Sequence, residues 1–497
     1  MKLAAVDLGS NTFRLTIAAV DGELVFPRDE YKVPVRLAAG LTAEKWLTPE
    51  AMSRGWQALA QFSERLADFP PDALRAVATN TLRVAKNAAH FIAEGQELLG
   101  FPIEVISGRE EARLIYLGVA HSIANPHRQN LIFDIGGGST EFIIGRGFAP
   151  EWLESLYMGC VSFTTRFFPD GEVTPRRFAQ ATTAARMELE AIAQTYRTIG
   201  WEQVFVSSGS ARAIRDVAVA MELTDEAITL PVLQEIERVI LDAKAVERIA
   251  RLPGMRSERA DLFAAGLAIM KAAFEALAIA EARYANGAMR LGVLYDLLGR
   301  THHHDIREAS VERLMERCQV DRPHALRVEA EALRLAGQLQ PAWQDPYHPM
   351  RQFLSWAARL HEVGLFVAHS GYHKHGAYLL ANADLPGFSQ SDQARLARWV
   401  LAHRGKLERL KELAEYDPEW DAILALRLAV ILARARNQKP LPQLEVARAG
   451  KGYRIGLPVD FARNHPLTHA LLLAEREQWE KVNKPLTFVG QENEEAP

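Results

Sequence analysis

At 497 residues the chain exceeds what one hydrophobic core ordinarily supports, and about three domains are expected. A composition that is 48% apolar and 24% charged excludes the disordered and fibrous classes. The formal net charge of -4 gives no global attraction to polyanions, so no nucleic-acid partner is expected, and a phosphate-rich ligand would need locally placed Lys or Arg.

Strand-like runs at 2–6, 13–20, 75–78 and 103–106 alternate with helical patterns such as 49–67, which argues an α/β layer over residues 1–124. The pattern repeats over 125–300, with strands at 130–133, 141–144 and 203–207 followed by helices. The most membrane-like run, LFAAGLAIMKAAFEALAIA from Leu262, carries Lys271 and Glu275 in its middle and reads as a buried helix, so no membrane-spanning segment is expected. Amphipathic helical patterns fill 301–445, and 446–497 reads as a small mixed segment containing GYRIGL. The HHH run from His302 reads as a solvated interdomain linker. Cys160 and Cys318 stand alone without CxxC spacing, which indicates neither a disulfide framework nor a zinc site and fits a reducing cytoplasm. The start MKLAAVDLGSN has too short an apolar run for a signal-peptide core.

Each α/β half opens with a strand, an Asp-x-Gly turn and another strand. In AAVDLGSNTF the turn offers the amides of Gly9, Ser10, Asn11 and Thr12; in LIFDIGGGSTEF it offers those of Gly136, Gly137, Gly138, Ser139 and Thr140. Gly lets such a turn curl into an anion-binding concavity. Asp7 and Asp134, at the strand ends, are placed to hold a hard cation, with Glu141 a third candidate and Mg²⁺ the natural ion. An ordinary Asp-Gly hairpin turn is the competing explanation for either motif alone; its recurrence at equivalent places argues for a pair facing one phosphate. Arg83 in ATNTLR follows a strand end and is the favoured guanidinium clamp, while Arg14, Arg113 and Arg290 are further candidates or surface ion-pair partners. VFVSSGSARAI reads as strand, turn and helix start; Ser208, Gly209 and Ser210 could take a second anion or form a tight connection. A base to activate water could be Glu110 or Glu111, which point about 100° apart on a helix, and spacing alone does not choose.

VDLGSNTFRL at Val6, VISGREEARLIYLGV at Val105, FDIGGGSTEF at Phe133, SSGSARAI at Ser207 and ANGAMRLGVLYDLLGR at Ala285 resemble, in order, the signature segments of the exopolyphosphatase and guanosine pentaphosphate phosphatase family. The resemblance continues through LHEVGLFVAHSGYHKHGAYLL at Leu360 and so covers nearly the whole chain. It implies two actin-like (ribonuclease H-like) domains followed by an all-α HD-like domain, a cleft binding phosphate and Mg²⁺, Glu111 as the catalytic glutamate, and a homodimer. The expected activity is release of orthophosphate from inorganic polyphosphate, since GGGSTE and HSGYHKH look more like the polyphosphatase branch; hydrolysis of guanosine pentaphosphate is the alternative. A non-catalytic polyphosphate or alarmone sensor would be expected to lack an essential carboxylate, yet Asp7, Glu111, Asp134 and Glu141 are all present. In the helical part, His361 and Glu362 with His324 resemble the HD metal-hydrolase signature, but Glu replaces Asp and Val430 stands where the last Asp belongs. A degenerate scaffold with a satisfied, partly buried His361 is therefore expected. His369, His373, Lys374 and His375 either line a cationic path for a long phosphate chain or form a solvated loop.

Overall fold

The computed structural model describes residues 1–301, 305–410, 412–437 and 439–490 and divides into two compact units, one ending at Ile306 and the other beginning at Arg307. The HHH run at His302 lies outside the described residues.

The first unit contains two sheets of the same design. In the first, β1 (Lys2–Leu8), β2 (Phe13–Asp21) and β3 (Leu24–Val33) form an antiparallel meander, and β4 (Leu74–Ala78) and β5 (Ile103–Val105) add in parallel beyond β1, giving the order β3-β2-β1-β4-β5. In the second, β6 (Gln129–Ile135), β7 (Thr140–Arg146) and β8 (Ala149–Leu156) repeat the meander. Beyond β6 come β9 (Gln203–Ser207) and β11 (Glu281–Tyr284) in parallel, with β10 (Ile228–Thr229) at the edge. Register is equivalent too: Leu8 faces Phe13 across the first turn and Ile135 faces Thr140 across the second. The repeated Asp therefore has a topological cause, because each closes the central strand of one sheet just before its first turn.

Edge strands β3 and β8 are absent from the sequence reading, and their composition explains why. Strand β3, LVFPRDEYKV, is mostly exposed and carries Pro27, which an edge strand tolerates because one row of its backbone groups goes unpaired. Strand β8, APEWLESL, is exposed or half-buried at every position except Leu156.

Two helices exchange partners between the sheets. The Gly108–Ala120 helix packs on β7 and β8 of the second sheet, whereas the Met289–Thr301 helix packs on β1 of the first. They meet at glycines: a Cβ on Gly292 would fall 1.8 Å from the Leu114 carbonyl oxygen, and one on Gly118 would fall 2.1 Å from that of Ala288. Their apolar faces join Leu3, Ala5, Val77, Ile132 and Ile143 in one core shared by both sheets. The boundary expected near residue 124 is thus crossed by packing, and this shared core holds the two turns in a fixed relation. The Ala260–Leu277 helix is buried along most of its length, as expected of the Leu262 run, and its Lys271 pairs with Glu237 at 2.5 Å. Among the described residues no helix is long and apolar enough to cross a membrane.

The second unit is helical, with a three-stranded sheet of β12 (Glu445–Ala449), β13 (Gly452–Leu457) and β14 (Leu486–Gly490). The sequence reading separates a small C-terminal domain at 446, but Val446, Tyr453, Ile455 and Leu486 share one core with Leu354, Trp399 and Leu424 of the helices. The Tyr453 hydroxyl donates to Asp421 at 2.9 Å inside that core, so the strands complete the helical unit.

Candidate active site

Both turns open onto one crevice of the first unit. A Cβ placed on Gly137 would lie 3.1 Å from the Ser10 Cβ and 3.7 Å from the Asn11 nitrogen, so the second turn sits directly against the first. Gly at 137 is what permits this approach. Ser10 is fixed from behind by the Thr81 hydroxyl, which donates to its Oγ at 2.8 Å. Among the described residues no acceptor is paired with the amides of Ser10, Asn11, Gly137 and Gly138. These donors and the carboxylates beside them face the same space.

Asp7 stands opposite Arg14 in the ladder, and its Oδ1 is buried without a hydrogen-bond partner. Burial raises its carboxyl from 3.8 to about 6, opposed by Arg290 and Arg14 and reinforced by the negative charge of Asp134. Asp134 stands opposite Glu141 and accepts from the Ser207 hydroxyl at 2.5 Å; burial raises it, with that hydrogen bond, Arg14 and Arg290 pulling the other way. Glu141 is fully enclosed and accepts from Ser155 at 2.8 Å, and burial, with Glu111 and Asp134 adding to it, pushes its carboxyl well above the ordinary range. Asp7, whose Oδ1 is unpartnered, Asp134 and Glu141 offer oxygen donors only, a chemistry that suits a hard cation such as Mg²⁺.

The Gly108–Ala120 helix supplies a fourth carboxylate. Ser107 caps it by accepting from the Glu110 amide at 3.1 Å, which places both glutamates in the first turn. Their environments then separate. Glu110 is held by Arg113 through two bonds of 2.8 Å in a buried network that also includes Arg75 and Asp296. Glu111 points instead to the crevice, paired with Arg83 at 3.3 Å, and burial raises it from 4.5 to about 7, with Arg83 opposing and Asp7 and Asp134 reinforcing. Of the two adjacent glutamates, the structure thus commits Glu110 to a buried ion network and places Glu111 beside Arg83 at the crevice. It also removes Arg113 from the candidate clamps, because its guanidinium is buried and committed to Glu110 and Asp296.

Arg83 is brought to the crevice but bonds the Ile106 carbonyl at 2.9 Å as well as Glu111. Arg290 donates to Thr16 at 3.0 Å, and with Arg14 it supplies the positive charge nearest Asp7 and Asp134. Ser208, Gly209 and Ser210 begin the Ser208–Ala220 helix beside Asp134. Ser208 has φ of 100°, a strained value for a residue with a side chain, and its hydroxyl accepts from the Ala211 amide at 3.1 Å. Arg259 lies over Gly209, where a Cβ would fall 2.2 Å from its Nη2. Arg259, Asn80 against Gly138, and Ser155 under Glu141 were missed in the sequence because none lies within a glycine-rich motif; only the fold brings them here.

Comparisons with known proteins place the chain in a family. The model described as the Ppx/GppA phosphatase family matches residues 16–301, and that of Ppx/GppA phosphatase, domain III, matches residues 306–476. The chain belongs to the Ppx/GppA phosphatase family. It is 38% identical over 97% of both chains to the guanosine-5'-triphosphate,3'-diphosphate pyrophosphatase of Aeromonas hydrophila. It is 38% identical over 96% of both chains to the protein of the same name from Pseudoalteromonas translucida. A crystal structure of an exopolyphosphatase from Cytophaga hutchinsonii aligns with a TM-score of 0.55 at 22% identity, over 60% of this chain and 98% of that one, which shows the shared actin-like fold. The relatives matched over full length carry the name of the alternative activity of the sequence reading, not of its main one.

Proposed function

We propose that the chain hydrolyses the terminal 5'-phosphoanhydride of guanosine pentaphosphate, releasing orthophosphate and guanosine tetraphosphate. The observation that carries the reaction is Glu111, a carboxylate raised to about 7 beside two turns that present unpaired amides. The substrate reading is supported by the names of the relatives matched over nearly their whole length.

In this reading the amides of Gly9, Ser10, Asn11 and Thr12 on one side, and of Gly137, Gly138, Ser139 and Thr140 on the other, hold the terminal phosphoryl oxygens; the Gly136 amide, expected among them from the sequence, donates instead to the Ser139 carbonyl at 2.9 Å, which closes the turn. Ser208, Gly209 and Ser210, with Arg259 above them, meet the next phosphate. Glu111 takes a proton from water as the water oxygen bonds to the γ-phosphorus; the bond from that phosphorus to the bridging oxygen breaks, and the β-phosphate leaves with its electron pair. An ordinary Glu is a weak base at neutral pH, whereas one near 7 is matched to the task. Asp7, Asp134 and Glu141 would hold Mg²⁺, which when bound withdraws charge from the phosphate oxygens. Arg83 orients Glu111 and limits how far its carboxyl rises.

Orthophosphate release from guanosine pentaphosphate and from long-chain polyphosphate, measured side by side, tests the substrate. A higher kcat/KM for the nucleotide is expected; a clear preference for polyphosphate would restore the expectation from sequence and overturn this one.

A further inference from the structure

In the second unit, a group of side chains has no part in this chemistry. His361 follows the Pro349–Leu360 helix and is completely buried, not partly so as expected. Its Nδ1 lies 2.7 Å from the Ala358 carbonyl oxygen, which fixes the proton on Nδ1 and leaves a lone pair on Nε2. That Nε2 is buried without a hydrogen-bond partner, so the histidine is not satisfied. His324, near the start of the Arg322–Leu339 helix, is also buried, with its ring 5.6 Å from that of His361 and its Nδ1 unpartnered. Glu362 Oε1 stands 3.9 Å from His361 Nε2 and 4.0 Å from His324 Nε2, and one ligand atom from each of the three lies within 4.8 Å of the others.

An unpartnered buried nitrogen costs desolvation with nothing in return, and Nε2 without a proton cannot donate to Glu362. Nor does the neighbouring His403 supply a partner: its Nδ1 is engaged with the Val400 carbonyl at 2.6 Å and its Nε2 with the Tyr372 hydroxyl at 3.3 Å. A cation between the three would take up the orphaned His361 Nε2 together with Glu362 and one ring nitrogen of His324. Ligand atoms about 2.1 Å from a common ion lie roughly 3–4 Å apart, which matches these separations to within small side-chain rotations. Two imidazoles and a carboxylate select a transition metal over Mg²⁺ or Ca²⁺, which favour oxygen.

Arg436 supplies the positive charge that Glu362 otherwise lacks as a counterion. Its Nη2 donates to Glu362 Oε1 at 2.5 Å and its Nη1 to Asp321 at 2.8 Å, and its side chain is 43% exposed, so it can withdraw into solvent. We propose that His324, His361 and Glu362 form a site for a divalent transition-metal ion that ties the Arg322–Leu339 helix to the end of the Pro349–Leu360 helix, with Arg436 as the exchangeable cation that neutralises Glu362 when no ion is bound. This is a second site, chemically distinct from the carboxylate set of the crevice.

The test uses the full chain stripped with EDTA, then titrated with Zn²⁺ or Co²⁺ in excess Mg²⁺ to occupy oxygen-only sites, with bound metal measured after gel filtration. Stoichiometric Zn²⁺, visible Co²⁺ absorption and a Zn²⁺-dependent rise in Tm are expected. His324→Gln and His361→Gln should each weaken binding at least tenfold. Arg436→Ala, at a side chain 43% exposed and checked for folding by its Tm without metal, should tighten it severalfold by removing the competing cation. No Zn²⁺ retained by the wild type, or undiminished binding in both histidine variants, or weaker binding in Arg436→Ala, would overturn the proposal.

Discussion

Glu111→Gln tests whether the crevice stores unfavourable charge. The Glu111 carboxyl rises from 4.5 to about 7, chiefly because it is buried. As pH climbs past the unfolded value the unfolded chain releases this proton first, so stability falls between roughly 4.5 and 7 and stays low above that window. At about 1.36 kcal/mol per unit, the cost above pH 7 reaches at most about 3 kcal/mol. Gln keeps the shape without the charge. In EDTA at pH 8 the variant should therefore be about 1–3 kcal/mol more stable than the wild type, a few °C in the Tm of the first unit, and the gain should largely vanish at pH 5. Adding Mg²⁺ should stabilise the wild type more than the variant, because the ion relieves what the substitution has already removed. Melting curves at the two pH values, with and without Mg²⁺, decide it. A variant no more stable at pH 8, or a gain equal at both pH values, would refute the electrostatic account of Glu111.

Asp296 accepts from Arg75, Arg113 and Arg300, whose charges hold its carboxyl below the ordinary range, so Asp296→Asn should cost roughly 3–5 kcal/mol of stability at pH 7, read from a drop in Tm. That contribution is present above the unfolded carboxyl value and is lost only as pH falls through the depressed folded one, so the wild type should keep it at pH 5. Gly137→Val should raise KM at least tenfold, since a branched side chain would force the two turns apart at Ser10 and Val161, whereas Gly137→Ala, whose Cβ needs its neighbours to give by only a few tenths of an ångström, should do much less. Asp7→Asn should raise the Mg²⁺ concentration for half-maximal orthophosphate release by at least tenfold; an unchanged titration would remove Asp7 from the cation site.

The legible parts of this molecule were those written locally. The shared position of Asp7 and Asp134 is legible because the same strand end and glycine turn occur twice, and β1 and β6 are legible through their long apolar runs. The exchange of helices between sheets was not legible, because it is a relation between Gly118 and Gly292, far apart in the chain. Choosing between Glu110 and Glu111 needed their partners, Arg113 on one side and Arg83 on the other. The missing Asp at position 430 points to a scaffold without a cation; that His361 Nε2 is buried with no partner is visible only in the fold.

The most direct measurement is single-turnover release of orthophosphate from guanosine pentaphosphate by wild type and Glu111→Gln at pH 8 with saturating Mg²⁺, alongside nucleotide binding by each. The wild type should release phosphate, and the variant should bind comparably while turning over at least a hundredfold more slowly, roughly the contribution expected of a general base. A variant that binds and releases phosphate at the wild-type rate would contradict the assignment of Glu111 and with it the account of the crevice.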